Sequence, residues 1–285
     1  MHCQTADVSD LVRLTHGLYR PAEATVTLAD RCAAFLGVLP GGAVIAGLTA
    51  ARMHGLWLPE ARSDERAEIV LTRPGMRPRD FAGSRRAEIR VRRRSLRQDD
   101  VSVLDGLPVT TLERTWVDLG EVLAVEDLVA AGDSALRSGA DIGALDWAIR
   151  RAARRRGVQR ARQAFDLLDR RSRSRPESHL RCIVVLGGLP KPEVNEHIYN
   201  EDGEWLAEPD LHYKRARLAL EYNGAGHADP ERMRNDITRE IDVDQGGWKS
   251  IVFGPAQVFG RPWQITPYVR TQLDIRDPGW RGRAA

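Results

Sequence analysis

The sequence predicts a protein of the α/β class with two domains: an α+β domain followed by a unit with the element order αβββαβ. The length of 285 residues corresponds to two domains at roughly 100–200 residues each. Apolar residues recur at helical and at strand spacing along the chain. An arginine-rich stretch closed by Pro176 separates two different patterns. We therefore predict domains at 1–148 and 176–285, joined by an arginine-rich helical connector at 149–175.

Strands and short helices are mixed in the first part of the chain, where short aliphatic runs alternate with glycine and proline. The predicted elements are a strand-turn-strand unit over 11–20, a helix over 28–36, a helix from Ile45 to Gly55, and strands over 68–72 and 89–92. Further along, Thr110 or Thr111 can cap a helix that reaches Leu119. Helical segments are also predicted over 125–136 and 142–168. The second half of this domain is thus expected to be helical.

A new pattern begins at Pro176, which is well placed at the start of a helix and has Glu177 beside it in the first turn. The following elements are predicted as strands over 196–199, 205–213 and 218–222, a helix through Met233 and Ile241 that stops at Gly246, and a strand over 248–253. This order defines the αβββαβ unit.

Hydropathy and cysteine usage exclude several classes of protein. No apolar run approaches the roughly 18 residues required to span a bilayer, and the first residues lack a signal pattern. We therefore expect a cytoplasmic protein with no membrane partner. Cys3, Cys32 and Cys182 form no Cys-x-x-Cys pair, which predicts reduced structural thiols. Glycine-rich phosphate-binding motifs are absent, so no nucleotide cofactor is expected.

The net charge of +3 hides two concentrated cationic segments. Residues 150–175 contain eleven arginines and two aspartates, and residues 85–97 contain seven arginines and one glutamate. Such segments favour a polyanion, because neutralising phosphates releases counterions. DNA is therefore a candidate partner, and a solvated arginine-rich surface is the alternative. The residues expected to contact phosphates are Arg150, Arg151, Arg154, Arg155, Arg156 and Arg160.

Two carboxylates of the second domain are predicted to lie together. The period of two in strand 218–222 puts Glu221 and Asn223 on one face. Asp210 lies eleven positions before Glu221, so hairpin pairing can bring the two carboxylates close. Oxygen-only ligands suit Mg²⁺ or Mn²⁺ better than zinc. A divalent ion at this place could activate water and stabilise charge on a phosphodiester.

The arrangement of Glu177 on a helix, Pro209-Asp210 on a strand and Glu221-x-Asn223 on the next resembles the PD-(D/E)XK nucleases. The most similar branch is that of the restriction-endonuclease-like proteins related to very-short-patch-repair endonucleases. The resemblance extends from about 175 to 258 and implies metal-dependent hydrolysis of DNA. It implies that Asp210 and Glu221 hold Mg²⁺ (or Mn²⁺), that Glu177 assists, and that His227 acts as a general base or phosphate ligand.

One position departs from the pattern of that family. The motif usually ends in lysine, whereas this chain has Asn223, which cannot supply positive charge. Lys214, Arg239 and Lys249 are the candidates for the missing cation. The carboxylates also have structural interpretations, since Glu177 can pair with Arg181 one helical turn away, and Glu221 with Arg217.

The first domain resembles a second family. Leu11 to Tyr19, Ala50 to Leu56 and the run from Gly106 to Leu119 look like the AbiEi-type antitoxins of abortive-infection toxin–antitoxin systems. The resemblance covers about 11–136 and implies a cognate toxin as partner. In that family a winged helix-turn-helix binds promoter DNA. Only about ten residues precede Leu11, which implies that the wing hairpin alone remains, through a misassigned start codon or the loss of the recognition helices.

Two functions follow from these observations. The first is a metal-dependent DNA endonuclease that nicks or cuts DNA in repair or phage defence. The second is a catalytically inactive nucleic-acid-binding regulator or antitoxin of a toxin–antitoxin system. Arg114 and Asp118, four residues apart, are predicted to form a structural ion pair worth a few tenths of a kcal/mol.

Overall fold

A computed structural model of the chain describes residues 11–15, 17–23, 25–39, 41–63, 69–73, 88–224 and 241–283. Contacts divide the chain into two units. Unit 1 comprises Met1–Val122 and Gly143–Val158, and unit 2 comprises Leu123–Ile142 and Gln159–Ala285. Both units combine helices with β-sheet, which confirms the predicted α/β class. The division describes packing, so the domains 1–148, 149–175 and 176–285 stay a prediction.

Unit 1 is built on a five-stranded mixed sheet. Its strands are β3 (Val44–Ile45), β4 (Ile69–Arg73), β5 (Ile89–Arg93), β6 (Val101–Leu104) and β7 (Leu107–Thr110), in the spatial order β5-β4-β3-β7-β6. Two pairs are parallel, β4 with β5 and β3 with β7. A separate antiparallel hairpin, β1 (Leu11–Thr15) with β2 (Leu18–Pro21), confirms the predicted strand-turn-strand unit.

Short helices accompany this sheet. They are α1 (Leu28–Val38), α2 (Gly47–Met53), α3 (Glu60–Ser63), α4 (Leu112–Leu119) and α6 (Ile142–Arg151). A capping box between Thr27 and Asp30 starts α1, and the Thr111 side chain accepts the Arg114 backbone N–H to cap α4, as the sequence indicated. The core packs Phe35 of α1 against Ile45, Ile69 and Leu71 of the sheet.

Two predictions for this part of the chain were wrong, and one element was not predicted. The helix expected from Ile45 begins at Gly47, because Val44 and Ile45 form the central strand β3. The hairpin β6–β7 precedes the first helix of the expected helical half and was not predicted. The helix expected over 142–168 divides into α6 and α7 (Val158–Phe165), with Gly157 between them at φ +81°. The predicted connector is therefore a sequence of turns and short helices.

Unit 2 contains a four-stranded mixed sheet in the order β13-β12-β11-β8. The strands are β8 (Glu193–Val194), β11 (Leu211–Tyr213), β12 (Leu218–Tyr222) and β13 (Lys249–Phe253). β12 and β13 are parallel, and the other pairs are antiparallel. A separate hairpin joins β9 (Ile198–Tyr199) to β10 (Trp205–Ala207). The strand expected over 205–213 is thus interrupted at Glu208-Pro209-Asp210, because proline lacks a backbone N–H for pairing.

The two faces of this sheet are covered differently. On one face, Leu218 and Leu220 pack with Leu180 of α8 (Arg175–Leu186) and Val269 of α9 (Ile265–Arg276). On the other face, Ala219 packs with residues of the β9–β10 hairpin and with Trp248. This alternation confirms the period of two predicted for β12. Unit 2 also contains α5 (Val125–Arg137), which packs along α8.

The helix predicted through Met233 lies mostly outside the described residues. Residues 241–245 are helical and end at Gly246-Gly247, where the sequence predicted a stop. Cys32 and Cys182 are buried free thiols, and burial raises their pKa to about 11 and about 12, respectively. Cys3 lies outside the described residues. Among the described residues, no helix is both long and apolar enough to cross a bilayer.

Candidate functional site

Asp210 and Glu221 are placed at the same end of the unit 2 sheet. In the antiparallel register Leu211 pairs with Leu220, so the next position on each chain brings Asp210 opposite Glu221. The Asp210 carboxylate accepts the backbone N–H of Tyr222, with 2.7 Å between N and Oδ2. This bond ties the Asp210 side chain to the end of β12, directly beside Glu221.

Glu221 lies half-buried on the face that carries Ala219. Its Oε1 atom accepts a hydrogen bond from the Ser250 hydroxyl on the neighbouring parallel strand, at 3.1 Å. Ser250 was not anticipated from the sequence. Its position one residue into an apolar strand is the only signal that could have identified it.

Glu177 is buried at the start of α8, where only 7% of the residue is exposed. Its Oε2 atom accepts hydrogen bonds from the backbone N–H of Arg173 at 2.8 Å and from the Asn195 side chain at 2.9 Å. The alternative pairing of Glu177 with Arg181 is wrong, since Arg181 binds Asp133. Glu177 therefore connects the helix start to the loop after β8.

Asn195 links this helix start to Asp210, the residue directly before β11. Its side chain donates to Glu177 and to the carbonyl of Arg171, and its backbone N–H donates to the Asp210 carbonyl at 3.0 Å. Asn195 adopts φ +48°, a left-handed conformation that asparagine tolerates better than most residues. Asn195 was not predicted from the sequence, because this role depends on contacts distant along the chain.

Arg173 supplies positive charge beside these carboxylates. It forms an ion pair with Glu208, and this hydrogen-bonded contact raises the pKa of Arg173, with smaller contributions from the charges of Glu177 and Asp210. The side chain remains half-exposed. Arg173 is thus a cation near the predicted metal ligands, and it was not among the cations predicted from the sequence.

The strand register restricts the three cations proposed to replace the motif lysine. Lys249 is paired with Leu218, and Lys214 follows Tyr213, which is also paired with Leu218. Leu218 is three residues from Glu221, or roughly 10 Å along a strand at about 3.3 Å per residue. Lys214 and Lys249 therefore lie towards the opposite end of β12. Arg239 lies outside the described residues.

Asn223 directly follows β12 and is exposed, and its backbone N–H donates to the Phe253 carbonyl at 2.9 Å. His227 lies outside the described residues. The alternative pairing of Glu221 with Arg217 is not observed, because Arg217 pairs with Glu201 at 2.9 Å.

Among the described residues, no group of three or more His, Cys, Asp or Glu side chains is arranged to hold a metal ion. A pair of carboxylates with water still suits Mg²⁺, which commonly takes only one or two protein carboxylates.

The six arginines predicted to bind DNA fall into two structural groups. Arg151 pairs with Asp99 at 2.9 Å and stacks on Trp147, and Arg155 donates to the Ser95 carbonyl at 3.3 Å. These two arginines thus also hold unit 1 together. The exposed arginines are Arg150, Arg154, Arg156 and Arg160, of which Arg150 pairs with Asp146 on its own helix. Arg160 belongs to unit 2.

Arg114 and Asp118 form the predicted ion pair at 3.0 Å, and Arg114 also binds Asp100 at 2.7 Å. Both partners of the predicted pair are buried, with 4% of each residue exposed. Removing one partner of this buried pair should cost about 3–5 kcal/mol, because the other charge is then left unpaired; that cost is a different quantity from the few tenths of a kcal/mol expected for the pair itself.

Comparisons with known proteins agree with part of this picture. Residues 43–169 match the family model of the AbiEi antitoxin C-terminal domain. Two curated Mycobacterium tuberculosis proteins, "Uncharacterized protein MT2308" of strain CDC 1551 / Oshkosh and "Uncharacterized protein Rv2248" of strain ATCC 25618 / H37Rv, are each 30% identical over 270 residues. The aligned region covers 93% of this chain and 93% of each relative. The chain belongs to the family of these mycobacterial proteins. No solved structure matches it significantly.

The antitoxin match confirms the resemblance of the first domain and changes its bounds. The predicted region was about 11–136, whereas the match begins at Ala43 and ends at Asp169. It therefore includes α6 and α7, and the arginines in and after α6 contact residues of the segment between β5 and β6 in unit 1. Asp210, Glu221 and the rest of the sheet in unit 2 lie outside the matched region.

Proposed function

We propose that this protein is a nucleic-acid-binding regulator of the antitoxin type, with a cognate toxin as protein partner. The observation that carries this proposal is the match of residues 43–169 to the AbiEi antitoxin C-terminal domain. Binding by an antitoxin requires no chemical step. The relevant surfaces are therefore judged by charge and exposure.

DNA binding is assigned to the arginines at the end of α6 and in the following turn of unit 1. Arg150, Arg154 and Arg156 are exposed there, and Arg160, an exposed residue of unit 2, is proposed separately as a phosphate contact. Arg151 and Arg155 add positive charge from half-buried positions. Guanidinium groups suit phosphate oxygens because their donors form a planar fork. These contacts would position a duplex without reading its sequence.

Fluorescence anisotropy with a labelled duplex tests the DNA part of this proposal. Removing one arginine–phosphate contact should reduce the slope of log K against log salt by about 0.9. Arg150→Gln/Arg154→Gln should therefore lower both the affinity and the salt slope. Arg281→Gln, which removes an exposed arginine of unit 2 that pairs with Asp274, is the matched control and should leave both unchanged. Equal effects of the two variants would contradict the assignment.

Growth assays test the toxin partner. The gene product encoded next to this protein in its transcription unit is expressed alone and together with the full chain. Growth arrest by the neighbour alone and rescue by co-expression are expected. If growth is not restored although the chain is expressed and folded, the result would count against the antitoxin function.

A second function, metal-dependent DNA endonuclease, is proposed on one specific observation. The register of β11 and β12, continued by one residue, sets Asp210 opposite Glu221, and Glu177 at the start of α8 is linked to Asp210 through Asn195. Asp210 and Glu221 would hold Mg²⁺ or Mn²⁺, which when bound would lower the pKa of a water and stabilise phosphate charge. Arg173 would supply the positive charge that Asn223 lacks, and His227 remains a proposed base or phosphate ligand.

A nicking assay on supercoiled plasmid distinguishes the two functions. Nicking should require Mg²⁺ or Mn²⁺, disappear in EDTA, and be lost in Asp210→Ala and Glu221→Ala. Lys249→Ala should keep the activity, because Lys249 of β13 lies beside the opposite end of β12. A Mn²⁺-dependent rise in Tm that both carboxylate variants abolish would support the same site independently of turnover. Wild-type nicking no greater than that of the two variants, with no Mn²⁺ shift, would leave the antitoxin function alone.

A further inference from the structure

Unit 1 contains a cavity of about 440 Å³ whose wall is dominated by arginines. The lining residues are Arg92, Arg94, Ser95, Arg114, Glu121, Arg155 and Arg156. They come from β5 and the segment after it, from α4 and the turn that follows, and from the turn after α6. The volume falls in the range of about 300–1,000 Å³ that is usual for small-molecule sites.

The carboxylates at this wall do not neutralise its arginines. Glu121 pairs with Arg92 and Arg94, Asp118 pairs with Arg94, Arg114 and Arg155, and Asp100 pairs with Arg114. Within the described residues, the five arginines that line the cavity thus share three carboxylates, which leaves two positive charges in excess. Arg151 and Asp99, which extend this network, add one charge of each sign.

Arg114 and Arg155 stand where an added negative charge would be favourable. Within the described residues, the Nη2 atom of Arg114 is buried and has no hydrogen-bond partner. Buried donors without a partner are uncommon and costly. Burial is the largest effect on Arg155 and lowers its pKa, and the charges of Arg114 and Arg94 lower it further, although Asp118, 3.6 Å from Nη1, and Asp100 partly oppose this. A bound anion would offset both effects.

We propose that this cavity binds the phosphate group of a small molecule. Phosphate carries close to two negative charges at neutral pH, which matches the excess, and its oxygens accept the paired N–H donors that guanidinium groups present. Arg155 and the exposed Arg156 would contact the ligand. Arg94 and Arg114 would contribute positive electrostatic potential from the cavity wall. The proposal does not depend on DNA binding, which is assigned above chiefly to arginines outside the cavity.

Isothermal titration calorimetry of the full chain tests this site at constant ionic strength. The probes are inorganic phosphate, pyrophosphate and ATP, with added sodium chloride as the reference. One saturable site is expected for pyrophosphate. Arg156→Gln and Arg155→Gln should each weaken binding at least tenfold. Arg154→Gln removes a neighbouring exposed arginine that does not line the cavity, and it should change the affinity less than twofold.

The three probes distinguish the source of the phosphate group. Equal affinities for pyrophosphate and ATP would support the site with a free phosphate chain as ligand, and much tighter binding of ATP would support it with a nucleotide as ligand. Arg156→Gln leaves the buried ion pairs of the cavity wall intact. The variant should therefore stay folded, and weaker binding would result from the loss of the Arg156 contact. No saturable binding, equal weakening by Arg154→Gln, or binding that is detected only with a DNA duplex would overturn the proposal.

Discussion

Gly157 lies directly against the backbone of Gly120. A Cβ atom added to Gly157 would stand 2.2 Å from the Gly120 carbonyl carbon and 2.3 Å from the nitrogen of Glu121. Gly157 also adopts φ +81°, which glycine reaches without steric cost. This contact brings the turn after α6 onto the end of α4, and with it the arginines that line the unit 1 cavity.

Gly157→Ala should therefore destabilise unit 1 by more than about 2 kcal/mol, because a left-handed alanine costs roughly 1–2 kcal/mol and overpacking adds about 1–3 kcal/mol. Gly55→Ala is the matched control, since Gly55 has φ +68° and open space around its Cβ position. Urea unfolding of both variants measures the difference. Equal losses of unfolding free energy would show that the close contact with Gly120 costs nothing.

The buried pair Asp133–Arg181 should stabilise the packing of α5 on α8. Both side chains are fully buried, and Asp133 also accepts the Ser178 hydroxyl at 2.6 Å and the Asp169 backbone N–H at 2.8 Å. Asp133→Ala should cost about 3–5 kcal/mol of unfolding free energy, because it leaves an unpaired buried guanidinium. Asp133→Leu/Arg181→Met should recover much of that loss in urea unfolding. A double variant no more stable than Asp133→Ala would contradict this explanation.

His212 should make the stability of unit 2 fall as the pH drops below about 6.5. Burial lowers the pKa of His212 from 6.5, although Glu193, 2.9 Å from Nε2, partly opposes this. The buried Nδ1 atom has no hydrogen-bond partner within the described residues, so a proton there would be unsatisfied. The folded state therefore disfavours protonation, and stability is present above the unfolded pKa and falls as the pH drops below about 6.5.

Replacement of His212 by phenylalanine checks this pH dependence. His212→Phe keeps an aromatic edge against Trp248, whose ring centroid lies 5.5 Å away. Urea unfolding at pH 7.5 and 5.5 should show a smaller loss for the variant, by up to about 1.4 kcal/mol per pH unit. His197→Phe alters an exposed histidine, retains His212, and should keep the wild-type difference. Identical pH dependence in the wild type and His212→Phe would exclude His212 as the cause.

The stability of unit 2 should depend on both the backbone conformation and the side chain of Asn195. Asn195→Ala loses the bonds to Glu177 and Arg171 and strains the left-handed backbone, whereas Asn195→Gly loses the bonds only. The glycine variant should thus be more stable than the alanine variant by about 1 kcal/mol. Thermal unfolding gives the order, and an alanine variant at least as stable as the glycine variant would be inconsistent with the φ of +48°.

Local signals explain most elements that the sequence predicted correctly. Thr111 caps α4 through its own side chain, and the alternation of Leu218, Ala219 and Leu220 divides them between the two faces of the unit 2 sheet. The hairpin β6–β7 was missed although its turn, Asp105-Gly106, is a strong hairpin signal. Both turn residues adopt positive φ, as that turn requires. The two-residue strand β3 has no such signal, because only its neighbours β4 and β7 define it.

The sequence by itself determined the α/β class, the two cationic segments, the alternation around Glu221 and the resemblance to AbiEi antitoxins, since each depends on residues close together in the chain. The tertiary structure decided which charged groups meet. Arg181 binds Asp133 from 48 positions away rather than Glu177 one turn away, and Arg155 reaches Ser95 across 60 positions to complete the cavity wall. Such partners are selected by packing and burial, which bring distant segments together, and no local pattern encodes that choice.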